Sequence, residues 1–213
     1  TMSNAISDAT AAGLIIVAAA GNSATELPSY PAAYTNVISV SATLTDDSLA
    51  SYSNYGATVD VAAPGSKVKS ASAEYNTDEQ KIKASYASYN GTSMAAPHVA
   101  GVVSLMKSVY PDMSPIDFDA ILVSGEITID LGDPGRDDLF GVGRIDAAKA
   151  VTFSKDIADG LEVIPVTPIL VVSETYLNFG KTIGQYSISA SNAGNGNLEI
   201  ITITAADSFV IIS

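Results

Sequence analysis

The 213-residue chain contains no cysteine. That excludes disulfides, thiol nucleophiles and zinc–thiolate sites, and leaves the compartment open. Basic residues are scarce: 10 Lys and Arg stand against 23 Asp and Glu, a net charge of −13, so no nucleic-acid partner and no anionic membrane surface is expected. Long apolar runs are also missing. "GLIIVAAAG" (13–21) is too short to span a bilayer and reads as a buried strand, so no membrane span is expected. The opening "TMSNAISDAT" has neither the basic start nor the apolar stretch of a signal peptide, and a chain starting on Thr before Met is expected to be a piece of a longer one. Histidine occurs once, at His98.

What is present can build a core. At 47% apolar and 15% charged residues the chain is globular in composition, with length for one to two domains. Met2, Ala5, Ile6 and Ala9 recur at helical spacing before Gly13, predicting a helix over 2–12. Leu14 to Ala19 follows as a continuous apolar strand of parallel-sheet type, and "VISVSA" (37–42) and "TVDVAAPG" (58–65) are further short strands. A helix from near Ser93 to Val109 is stopped by Pro111. "SPID" then puts Ser114 at an N-cap, Pro115 at the first helical position and Asp117 facing the amino end. That helix should end before Gly125, and another short one should start near Asp146.

Composition shifts after Phe153. Residues 154–165 carry no evident helical period and lead into prolines, as a linker would. Residues 166–213, with "TYLNFG", "YSISASNAG" and "NLEIITITAA", read as the first strands of an immunoglobulin-like β-sandwich, too short to complete one. Residues 1–153 form the preceding domain.

The chemistry gathers at "NGTSMAAPHVAG" (90–101). A serine hydroxyl attacks only once a base takes its proton, and Ser93 at a helix start gains from the partial positive charge of the free N–H groups there. Gly91 lets the backbone approach a substrate, and the Ser93 N–H can point at a developing oxyanion. A serine placed simply to cap a small-residue helix is the competing reading. His98 lies five residues on, about 7.5 Å along the axis and roughly 140° around it, out of reach of the hydroxyl. It reads as a packed helix histidine, and no spacing favours Lys81, Lys83 or Lys107 as the base.

"NGTSMAAPHVAG" resembles the nucleophile segment of the subtilisin-like serine proteases (subtilases, peptidase S8), and "IIVAAAGN" (15–22) resembles the segment carrying that family's oxyanion asparagine. "YPAAY", "DVAAPG" and "GVGRIDAAKAV" follow the family pattern in order. The resemblance covers residues 1 to about 151 and implies the C-terminal half of a catalytic domain. It implies Ser93 as nucleophile and Asn22 as the second oxyanion donor. The triad histidine and aspartate, which the family carries upstream, would lie outside this chain. By the same resemblance Ala18, Ala19, Ala20 and Gly21 wall the specificity pocket with Ser29 toward its floor, Tyr89 and Asn90 flank the leaving-group side, and Gly91 and Thr92 complete the substrate-facing turn. Met94 matches a position open to oxidation, and Tyr30–Pro31 one that carries a cis bond.

A cation site for Ca²⁺ or Na⁺ is implied at the carbonyls of Ala32, Tyr34 and Val37 with the carboxylate of Asp60, an ordinary loop with a capping aspartate being the alternative. No organic cofactor is expected. The acidic run "DLGDPGRDDLFG" (130–141) does not fit a calcium loop and reads as solvated.

The expected fold is therefore α/β, a partial doubly wound parallel sheet of subtilisin type followed by an incomplete β-sandwich. The expected function is hydrolysis of peptide bonds in protein or peptide substrates by acyl transfer through Ser93, secreted or at the cell surface, and inert without the missing N-terminal half. The alternative is a catalytically dead subtilisin-like domain used for binding or as a surface scaffold.

Overall fold

The computed structural model describes residues 1–77, 79–164, 170–172 and 190–192. The chain divides into two compact units, Thr1–Ile164 and Pro165–Ser213.

In the first unit, helix α1 (Met2–Ala11) leads into strand β1 (Ile16–Ala19), and β2 (Val37–Thr43) and β3 (Val61–Pro64) follow. These three strands pair in parallel, with Val17 opposite Ile38 and Val40 opposite Val61. The sheet is completed by the short strands β6 (Thr128–Ile129) and β7 (Arg144–Ile145) in the order β1-β2-β3-β7-β6. Only β6 runs antiparallel to its neighbour, the usual way an α/β sheet ends in a reversed edge strand. β2 is buried along its whole length, as its near-continuous apolar and small residues predict for a central strand.

Helix α2 (Thr92–Val109) packs on β1, β2, β3 and the helix α4 (Ala147–Ala158). Its buried residues, Thr92, Ala95, Val99, Val102, Val103 and Met106, recur at intervals of three and four and so form one stripe. They meet Ile38, Val40, Ala42, Val61 and Ala63 from the sheet. Burying each valine contributes about 1.5–3 kcal/mol. Helix α3 (Pro115–Val123) opens as its sequence predicts: Ser114 Oγ accepts from Asp117 N–H at 3.1 Å while the Asp117 carboxylate accepts from Ser114 N–H at 2.9 Å. It buries Phe118, Ile121 and Leu122.

Two features depart from the sequence reading. Helix α4 continues through Ser154–Ala158, a stretch read as linker. Ala150 and Ser154 are fully buried and Phe153 and Ile157 pack on the core, a helical period that the prolines farther on obscured. The other is a two-stranded antiparallel ribbon, β4 (Val68–Asn76) with β5 (Lys81–Tyr89). It leaves the domain just before Asn90, and Lys67 N–H donates to Asn90 Oδ1 at 2.6 Å to close its root.

The acidic loop satisfies its own backbone. Asp137 Oδ1 accepts from the N–H groups of Leu139 and Phe140, both at 2.8 Å, and Asp130 accepts from Gly135 N–H at 3.0 Å. Arg136 reaches out of it to the carbonyls of Ala57 and Val59. Among the described residues no helix is long and apolar enough to cross a membrane. In the second unit β8 (Leu170–Val172) pairs antiparallel with β9 (Ala190–Asn192). The remaining stretches expected to build a β-sandwich lie outside the described residues.

Candidate active site

β1 ends at Ala19, and the chain turns through Ala20 and Gly21 to deliver Asn22 beside the start of α2. The join is made by Thr92. Its N–H donates to Asn22 Oδ1 at 2.8 Å, its hydroxyl to the same oxygen at 3.0 Å, and its Oγ1 accepts from Gly21 N–H at 3.2 Å. Thr92 is fully buried, so this residue, expected among those facing substrate, instead clamps the Gly21–Asn22 turn to the helix.

That clamp fixes which way the Asn22 amide points. Two donors converge on Oδ1, so the other end of the amide must be Nδ2, a donor with no partner among the described residues. Ser93 N–H is likewise unbonded, because it belongs to the first turn of α2, where no helical carbonyl is available. A Cβ built on Gly91 would lie 3.5 Å from Asn22 Nδ2 and 3.7 Å from Ser93 N. Both donors therefore border one small space, which glycine leaves empty. Gly91 has φ of 152° and ψ of 157°, a region that only glycine occupies without strain.

Ser93 itself is exposed, one residue inside the helix, whose N-cap is Gly91. The N-cap explanation for this serine is thereby removed. The first turn holds no acidic residue and no side-chain cap from its own segment, so the positive end of the helix is left facing the space beside Ser93.

Two residues absent from the sequence reading brace this geometry. Asn54 is buried; its Nδ2 donates to Ala20 O at 3.0 Å, its Oδ1 accepts from Ser23 N–H at 2.8 Å and its N–H donates to Gly21 O at 2.9 Å. Tyr52 places its hydroxyl 2.8 Å from Gly65 O and 3.1 Å from Gly91 N. Both sit in "SYSNYG", where an isolated polar residue acting at long range has no periodic signature.

Around this centre, Ala18 and Ala19 are half-buried and Ala20 is buried. Ser29 Oγ lies 3.4 Å from where a Gly21 Cβ would stand, beside the small-residue wall. Tyr89 is exposed at the end of β5, and Asn90 is held at the ribbon root by its side-chain Oδ1, which accepts from Lys67 N–H. Tyr30–Pro31 is cis, as expected. Met94 is half-buried next to Ser93. His98 is exposed rather than packed, and its Nδ1 lies 2.8 Å from the Met94 carbonyl one turn back. It does not serve Ser93.

The oxygens expected to hold a cation are mixed in their bonding. The Ala32 carbonyl takes no hydrogen bond among the described residues, whereas Tyr34 O accepts from Val37 N–H at 3.2 Å. Asp60 accepts from Ser39 N–H at 2.7 Å. Burial pushes its pKa up to about 6, with nearby Asp119 adding to the rise and Arg136 opposing it. Its partly buried carboxylate thus carries a desolvation cost that the Ser39 N–H and Arg136 offset only in part.

A sequence model of the subtilase family matches residues 1–143. The chain is similar to an extracellular protease of Xanthomonas campestris pv. campestris, 49% identical over 124 residues that make up 57% of this chain and 21% of that one. Its similarity to subtilisin BL of Lederbergia lenta is 38% over 150 residues, 70% of this chain and 51% of the relative. The chain thus spans between about a fifth and a half of the length of these relatives. Among solved structures, proteases from Pseudoalteromonas arctica superpose with a TM-score of 0.61 at 36% identity, covering 71% of this chain and 46% of theirs.

Proposed function

Since the chain belongs to the subtilase family of proteases, whose model covers residues 1–143, we propose that it forms part of a serine endopeptidase in which Ser93 is the nucleophile. Ser93 Oγ attacks the carbonyl carbon of a peptide bond, and the resulting oxyanion is held between Asn22 Nδ2–H and Ser93 N–H. The acyl-enzyme forms as the amine departs and is then hydrolysed. The proton is moved by a histidine–aspartate pair on a further part of the catalytic domain, since His98 is turned to Met94.

One observation carries the reading: Thr92 bonds to Asn22 Oδ1, leaving Nδ2 as a free donor beside the Ser93 N–H. Uncovered surface supports the further part of the domain. β1 is an edge strand, and Leu14, His98, Ala100, Gly101 and Leu105 are exposed although they flank the core. Ala18, Ala19, Ala20, Gly21 and Ser29 would receive the substrate residue before the cleaved bond, and Tyr89 and Asn90 the residues after it. The carbonyls of Ala32, Tyr34 and Val37 with Asp60 would hold a structural Ca²⁺ or Na⁺. Secretion fits the extracellular relative.

The test is labelling by a fluorophosphonate of the full-length protein. One adduct is expected, at Ser93, and its absence in Ser93→Ala. Wild-type protein that folds but takes no label would reject the enzyme and leave a binding or scaffold domain.

A further inference from the structure

The Tyr52 hydroxyl touches more of the framework around Ser93 than any packing role requires. It donates to Gly65 O at 2.8 Å and lies 2.7 Å from Ser66 Oγ at the root of the ribbon. It also accepts from the N–H of Gly91 at 3.1 Å. With the proton on Gly65 O, the two lone pairs receive Gly91 N–H and Ser66 Oγ–H, so every bond a phenol can make is made. The Tyr52 carbonyl in turn accepts from Ala24 N–H at 3.0 Å, two residues past Asn22. One residue therefore ties the ribbon root, the turn before the nucleophile and the loop of the oxyanion donor.

Gly91 is the point where such a tie matters. Its N–H is shared between Gly65 O at 2.8 Å and the Tyr52 hydroxyl. Its peptide planes, in a conformation open only to glycine, set the course of the chain toward the Ser93 N–H two residues on. Glycine has no side chain of its own to hold that conformation, and the flanking Asn90 is engaged with Lys67. Resting on the protease reading above, we propose that Tyr52 is a positioning residue: its hydroxyl, through Gly91 N–H, holds the Ser93 turn in register with Asn22. The bond acts on the transition state, because a small error in donor position weakens oxyanion contact far more than substrate binding.

Tyr52→Phe keeps the ring and removes only the hydroxyl, and Ser66→Ala removes another partner of that hydroxyl without touching Gly91. In the full-length protein, with a chromogenic peptide anilide, Tyr52→Phe is expected to lower kcat roughly ten-fold with KM little changed. The first-order rate of fluorophosphonate labelling should fall in step, and amide exchange at Gly91, whose N–H loses one of its two acceptors, should accelerate. Ser66→Ala should match wild type in all of these.

Unchanged kcat and exchange in Tyr52→Phe would overturn the proposal, as would equal losses in Tyr52→Phe and Ser66→Ala. If wild-type protein neither turns over nor labels, the protease reading fails by itself. Exchange at Gly91 then decides the role of Tyr52 alone, an unchanged rate rejecting it.

Discussion

A single amide separates a useful oxyanion donor from a misdirected one. The Asn22 side chain is held by its oxygen, so removal of the side chain deletes the donor and also unbonds Thr92. With Asn22 as the proposed oxyanion donor, Asn22→Ala in the full-length protein is expected to lower kcat by about 10²–10³, the loss typical of removing one such donor in subtilisin, with KM little changed. Single-turnover kinetics on a peptide substrate would check it, and a change confined to KM would count against the assignment. That Asn22 and Ser93 stand together was legible because each lies in a segment of recognisable order. Asn54 and Tyr52 were not, since their partners are 31 and 39 residues away in sequence and nothing local marks them. Thr92 was legible as a neighbour of the nucleophile, but its burial follows from the packing of α2 on β1.

Elements whose own sequence closes their ends were readable, and elements defined by a distant partner were not. The capping box of α3 and the three-and-four spacing of α2 are local properties. The two-residue strands β6 and β7 exist only through pairing with each other and with β3. The ribbon β4–β5 was missed for another reason: it has no buried face. Tyr75, Ile82 and Tyr86 are exposed on one side, and Glu74 and Lys83 pair across the other, so no strand-like burial pattern is imposed on its residues. The α2 stripe carries most of the contact between helix and sheet. Met106 is fully buried in it, and Met106→Ala is expected to cost about 2–5 kcal/mol. Denaturant unfolding would measure this, and a cost below about 1 kcal/mol would show that the site relaxes around the gap.

At the scale of the molecule, a chain of net charge −13 repels itself at neutral pH, and carboxylates that resist ionisation in the folded state add to the cost. Burial raises the pKa of Asp119, which also faces Asp60 closely enough to raise that group. A carboxyl group whose folded pKa is raised favours the fold fully below its unfolded value near 3.8, and this contribution disappears as pH climbs through the folded value. Asp119→Asn has no proton to lose. Its Tm relative to wild type should therefore rise between pH 4 and pH 7, as read by calorimetry, and a constant difference would show that Asp119 ionises as freely in the fold as outside it.

Asn22 and Thr92 are 70 residues apart in sequence, and between them lie β2, β3 and the whole ribbon. Such a distant pair closes late, after the intervening loops have been gathered. A newly made chain would thus keep Asn22 and the turn before Ser93 apart through most of its assembly, the two meeting only when that final join is sealed.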